Sequence, residues 1–140
     1  MGVKLEFIDT NVLLYSVDNS EPIKQQKAVA LLTRLWHEQT GCLSVQVMQE
    51  FYANATRKLR PALSPTDARA LLLGLMSWSV HTINAAQMLE ATVRQEQHQL
   101  SIWDALILTS AIELNCQVLW SEDLNAGQQF GNLEVKNPFA

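Results

Sequence analysis

The stretch Val3-Lys4-Leu5-Glu6-Phe7-Ile8-Asp9-Thr10-Asn11 decides how the rest of this chain is read. Apolar residues run up to Ile8 and stop at three small polar ones, and Val12-Leu13-Leu14-Tyr15 then resumes the apolar run. The pattern predicts a buried strand that delivers Asp9 to its carboxyl end, followed by a tight turn. In open α/β sheets ligands bind outside the carboxyl ends of the strands. Asp9 therefore stands where chemistry is expected, provided that other parts of the chain supply partners. Taken alone, it reads first as the N-cap of a short helix beginning near Asn11, ahead of any catalytic role.

The chain of 140 residues is long enough to bury one core, so a single domain spanning 1–140 is expected. Hydrophobic residues make up 48% and charged ones 17%, the balance of an ordinary globular protein. The net charge of −4 excludes a basic nucleic-acid coat, although a metal ion can invert the local charge. Cys42 and Cys116 form no disulfide framework or CxxC motif, which fits a reducing cytoplasm. Glu6 and Asp9 interrupt any signal-peptide core, and Glu6 spoils a myristoylation pattern after Gly2. The apolar run from Ala70 to Met76 is too short to span a membrane.

Outward from the first strand, helices and short strands alternate. Asp18 to Pro22 starts a helix that ends before Gly41, and Cys42-Leu43 is a short strand. Ser44 caps a helix from Val45 to about Arg60, which Pro61 ends. Ser64-Pro65-Thr66-Asp67 starts the next. Trp78 to Ile83 is strand-like, Asn84 and Gln87 open a helix, and Ser101 caps another from Ile102 to Leu114. Gln117 to Trp120 is a buried strand that stops at Ser121-Glu122-Asp123, and Leu133-Glu134-Val135 is a short edge strand. The class is α/β, with a mostly parallel sheet of about four to five strands and helices on both faces.

Asp123 repeats the setting of Asp9, although an Asx turn would explain it too. Asp104 shares one side of an almost wholly apolar helix with Leu108 and Ala111. An acid there needs a hydrogen bond, an ion pair or a metal, yet Ser101 and Asp104 also fit a capping box. Glu50 lies at the border of the polar face of its helix, with Asn54 one turn on and Arg57 two turns on. Arg57, Lys58 and Arg60 make the densest positive cluster, which a helix C-terminus alone would explain. His37, His81 and His98 fit no ligand spacing.

Four blocks of the sequence together resemble the PIN-domain family, and within it the toxins of VapBC-type toxin–antitoxin pairs. They are Ile8 to Tyr15, Gln49-Glu50-Phe51-Tyr52, Trp103-Asp104-Ala105-Leu106-Ile107 and Leu119 to Leu124. The resemblance implies a three-layer fold with an acidic cleft at the carboxyl edge of the sheet. It implies an endoribonuclease that uses magnesium, or manganese, bound by acids at the positions of Asp9, Glu50, Asp104 and Asp123. Asn11 matches an asparagine that supports the first acid, Thr10 stands between the two, and Ser121 occupies a hydroxyl position that is usually threonine. Asn125 stands where some relatives carry a further acid, which favours one bound ion over two. The resemblance also implies an antitoxin that covers the cleft, and a homodimer.

Magnesium and manganese prefer carboxylate oxygens, so the residue types suit the implied chemistry. Arg57, Lys58 and Asn54 are the candidates for contacts with RNA phosphates. The rival readings are a catalytically silent PIN module that binds RNA or protein, and a small phosphatase. Asn11 stands where haloacid-type phosphatases carry a second aspartate, and neither G-x-G-x-x-G nor a P-loop occurs.

Overall fold

A computed structural model describes residues 3–140. The leader and acylation readings at Met1 and Gly2 lie outside the described residues. In chain order the elements are β1 (Glu6–Ile8), α1 (Thr10–Ser16), α2 (Pro22–Glu38), β2 (Gly41–Ser44), α3 (Val45–Ala55) and α4 (Pro65–Leu75). They continue with β3 (Ser79–His81), α5 (Ala85–His98), α6 (Ile102–Glu113), β4 (Val118–Trp120), β5 (Gln129–Phe130) and β6 (Leu133–Lys136). The strands form one sheet in the order β3-β2-β1-β4-β6-β5, parallel throughout except for the β5–β6 pair. Every residue of β1 and β2 is buried, so side chains alternating to opposite faces both meet protein. No helix among the described residues is long and apolar enough to cross a membrane.

β1 lies between β2 and β4, and the chain winds outward from it in both directions. That makes the β1–β4 boundary the switch point of the sheet, where open α/β folds place ligands. The ladder runs one step past the strand, for Asp9 N–H donates to the Trp120 carbonyl at 2.9 Å. The main core joins Phe7, Ile8 and Leu43 of the central strands to Leu13, Leu35, Phe51 and Leu108 of the helices. Glu6 is buried within β1 but paired: Arg34 bonds both its oxygens at 2.9 Å, and Trp120 Nε1 donates at 2.9 Å. Burial alone would raise its pKa, but those hydrogen bonds and the guanidinium charge hold it below the ordinary value.

The predicted helix starts are found at Ser44, Ser64 and Ser101, whose hydroxyls each accept the backbone N–H three residues on. Asn84 and Gln87 form the reciprocal box. Two boundaries differ from expectation. α3 ends at Ala55 rather than near Arg60, because the Thr56 hydroxyl turns back onto the Tyr52 carbonyl and Leu63 N–H takes the Ala55 carbonyl. The strand expected over Trp78–Ile83 is only Ser79–His81. Among the described residues the sheet has six strands, and β6 is not its edge. It lies between β4 and the two-residue β5, which the sequence reading did not include.

Gly41 marks a close approach. A Cβ there would meet ring carbons of Trp78 at 2.5 Å, and Trp78 is itself part of the core. Gly41→Ala is expected to cost about 1–3 kcal/mol of stability through overpacking. A urea unfolding midpoint equal to that of the wild type would show that the indole moves aside freely.

Candidate metal centre

Three acids meet above the carboxyl edge of β1 and β4. Asp9 is delivered by β1, Asp123 by the turn after β4, and Asp104 by the first turn of α6. One carboxylate oxygen from each lies within 4.8 Å of the other two. Burial grades outward, from a buried Asp9 through a half-buried Asp104 to an exposed Asp123. The cleft they share has a volume of about 240 Å3. Glu50, Gln46, Asn54 and Trp103 also line it, and no lysine, arginine or histidine does.

Asp9 caps a helix and stands in the acid cluster at once. Its Oδ1 accepts Thr10 N–H at 2.7 Å as the N-cap of α1, while Oδ2 accepts the Ser121 hydroxyl at 2.8 Å. Burial pushes its pKa up to about 7, the bonds from Ser121 and Thr10 oppose that, and the charges of Asp123 and Asp104 add to it. Asp104 is also raised, first by burial and then by Asp123, against a hydrogen bond from Ser101, with Glu50 adding to the rise. Capping and clustering therefore coexist at Asp104, whose N–H bonds the Ser101 hydroxyl at 3.0 Å.

Ser121 organises the turn that carries Asp123. Its oxygen donates to Asp9 and accepts N–H from Asp123 at 3.1 Å and from Leu124 at 3.3 Å. Ser121→Ala is expected to destabilise the fold by about 1–3 kcal/mol, since it leaves buried groups unpaired, whereas Ser121→Thr keeps the oxygen and most of the stability. Equal urea midpoints for the Ala variant and the wild type would refute this. The same turn is tied to the helices by Glu122, which accepts from Lys24 Nζ at 2.5 Å and from the Tyr15 hydroxyl at 3.0 Å. The sequence reading missed this network.

Several expected contacts fall elsewhere. Asn11 donates to Asp123 Oδ2 at 3.1 Å and has no recorded bond to Asp9, because the first turn of α1 carries its amide toward the β4 turn. Glu50 lines the cleft outside the three-oxygen group. Thr10 Oγ1 donates to its Oε1 at 2.5 Å, and Gln46 Nε2 to its Oε2 at 3.3 Å. Asn54 lines the cleft, but Arg57 and Lys58 do not. They are exposed in the turn after α3, whose early end breaks the line that would have stacked Arg57 above Glu50.

The donor set suits a hard divalent cation. Oxygens about 2.1 Å from a magnesium ion stand at most about 4.2 Å apart across it, so small rotations would bring the three carboxylates into range. No basic side chain in the cleft competes for them. Asn11 Oδ1, buried and without a partner, adds one more oxygen still able to accept a bond.

Comparisons with known proteins bear on the family and the fold. The PIN domain family matches residues 7–128. No curated protein matches the sequence. Solved structures of similar fold include VapBC2 from Rickettsia felis bound to a DNA fragment from its promoter. It has 21% identity and a TM-score of 0.64 over 95% of this chain and 98% of that one. A toxin–antitoxin complex from Klebsiella pneumoniae has 16% identity and a TM-score of 0.68 over 95% and 97%. VapC20 of Mycobacterium tuberculosis, a sarcin-ricin loop cleaving toxin, has 19% identity and a TM-score of 0.59 over 84% and 91%.

Proposed function

The chain belongs to the PIN domain family, and from that premise we propose that it is a metal-dependent endoribonuclease, the toxin of a toxin–antitoxin pair. One observation carries the reading: three carboxylates from distant parts of the chain converge in a cleft without a cation of its own. Burial first, and then the neighbouring carboxylate charges, raise the pKa values of Asp9 and Asp104, a cost that a bound counter-charge would relieve.

Asp9, Asp104 and Asp123 would hold magnesium or manganese. Such an ion would supply positive charge to the scissile phosphoryl oxygen and make a nearby water easier to deprotonate. The chain's own groups do the remaining work. Ser121 fixes the carboxylate of Asp9 and the turn of Asp123 together, so only small rotations of the donors would be needed on binding. Asn11 holds Asp123 Oδ2 from the other side. Glu50, held through Oε1 by Thr10 and through Oε2 by a longer bond from Gln46, lines the same cleft and would receive the proton of the attacking water. No serine or histidine nucleophile is required.

The similar structures from Rickettsia felis and Klebsiella pneumoniae are toxin–antitoxin complexes, which supports a cognate antitoxin as partner. The same reading expects a homodimer in the cytoplasm, and Ile23, Val29 and Trp36 stand exposed along α2 as apolar surface for an interface. The test is incubation of the purified protein with a panel of single-stranded and structured RNAs, with and without magnesium. Internal cleavage that disappears with a chelator and returns with the ion is expected. RNA binding without any cleavage would replace the proposal with a silent binding module.

A further inference from the structure

Beside the acid cleft lies a second recess, of about 300 Å3. Val45, Ile83 and Leu106 give it apolar walls, and Met88 adds a flexible one. Gln46 and Trp103 line both the recess and the cleft, so the two share a wall. Gln46 also joins them mechanically, for its amide nitrogen reaches the Trp103 carbonyl at 3.2 Å and Glu50 at 3.3 Å. Trp103 is 61% exposed, an aromatic surface offered to solvent at the boundary.

The two compartments differ in charge. Four acids line the cleft, whereas no aspartate, glutamate, lysine or arginine lines the recess. Its polar groups are hydrogen-bonding ones, among them Gln49, Thr82 and the imidazole of His81. The ring of His81 faces the Ser110 hydroxyl through Nδ1 at 2.8 Å, which leaves Nε2 for a further bond. A ligand that fills both compartments needs an anionic part for a metal-loaded cleft, and a neutral, flat part with a polar edge for the recess. A nucleotide is divided in that way. A purely apolar side chain would leave the amide and imidazole without partners, which is costly once water is excluded.

We infer that the recess is a nucleobase subsite: an unpaired base next to the scissile phosphate stacks on Trp103 and presents its polar edge to Gln49, Thr82 and His81. The inference rests on the nuclease reading above. Stacking on an aromatic face tolerates any base, and hydrogen bonds to the base edge then choose among them. A base held in a duplex cannot enter, so the subsite directs cleavage to loops and single strands.

The experiment has two arms. In the first, the indole N–H signal of Trp103, assigned with Trp103→Phe, is followed by NMR while each of the four nucleoside 5′-monophosphates is added to the magnesium-loaded protein. One nucleotide is expected to shift it at a concentration about tenfold below the others. In the second, an RNA pool with randomised bases around a single-stranded cut is digested by wild type, Gln49→Ala and Met88→Ala. The base preference of the wild type is expected to fall by about tenfold in Gln49→Ala, while magnesium affinity measured by calorimetry stays unchanged. Nucleotides that shift Trp103 without any RNA cleavage would support the subsite and remove the nuclease reading. Unchanged base preference in both variants, together with a Trp103 signal inert to all four nucleotides, would overturn the subsite. So would a signal that responds only to a protein partner.

Discussion

Asp9→Asn is expected to lower RNA cleavage by at least about a thousandfold, the scale lost when a preorganised charge contact to the reacting centre is removed. The substitution keeps the shape of the side chain. It can still cap α1 through its oxygen, as Oδ1 does for Thr10 N–H. What it loses is the negative charge at the most buried corner of the three-acid group. The hydroxyl of Ser121 would also lose a charged acceptor at 2.8 Å. Single-turnover cleavage in saturating magnesium measures the effect, and magnesium calorimetry separates lost binding from lost chemistry. The ionic contribution is confined to the cleft, so Arg57→Ala, in the exposed turn outside it, should leave magnesium affinity unchanged. If Asp9→Asn cleaves within about tenfold of the wild type, the acid cluster is not the reacting centre.

The acids that meet at the sheet edge were legible because backbone pattern and chemistry coincide at them. Asp9 and Asp123 each follow a short buried strand, and the two strands pair in parallel, so the same local signal twice gives one shared edge. Asp104 was legible as an acid on an apolar helix, though only the fold brings it to that edge. Less was legible where tertiary contacts override local preference. Thr56-Arg57-Lys58-Leu59 has nothing that forbids a helix, and the stop at Ala55 comes from Leu63 returning to its carbonyl. The partner of Asn11 could not be read either, since both acids lie within one turn of it in space and sequence says nothing of which. β5 did leave a signal. Gly131-Asn132 is a two-residue hairpin turn between paired Phe130 and Leu133, and Gly131 takes the positive φ of 63° that such turns demand.

The second large effect concerns the metal-free protein. Asp9 in the fold ionises near 7, above its ordinary 3.8. Below pH 4 the carboxyl is protonated whether the chain is folded or not, so its contribution to stability is fully present. Between pH 4 and 7 the unfolded chain releases the proton while the folded one keeps it. Stability therefore falls as pH rises through this window, and levels off above the folded pKa. A displacement of this size corresponds to on the order of 4 kcal/mol. Asp104, also raised, acts in the same direction. Glu6 is lowered, so its stabilisation is lost as pH falls from its ordinary 4.5 through its lower folded pKa, which touches only the acid end of the window and has the opposite sign. A divalent ion replaces the proton as counter-charge. Magnesium at about a thousand times its dissociation constant would return ~4 kcal/mol at pH 8, and Asp9→Asn should flatten most of the slope without any ion. Urea unfolding in chelator from pH 4.5 to 8, repeated with magnesium, measures both. A metal-free protein equally stable across that range would mean that the carboxylates do not strain the fold, and the argument for a cation among them would lose its physical basis.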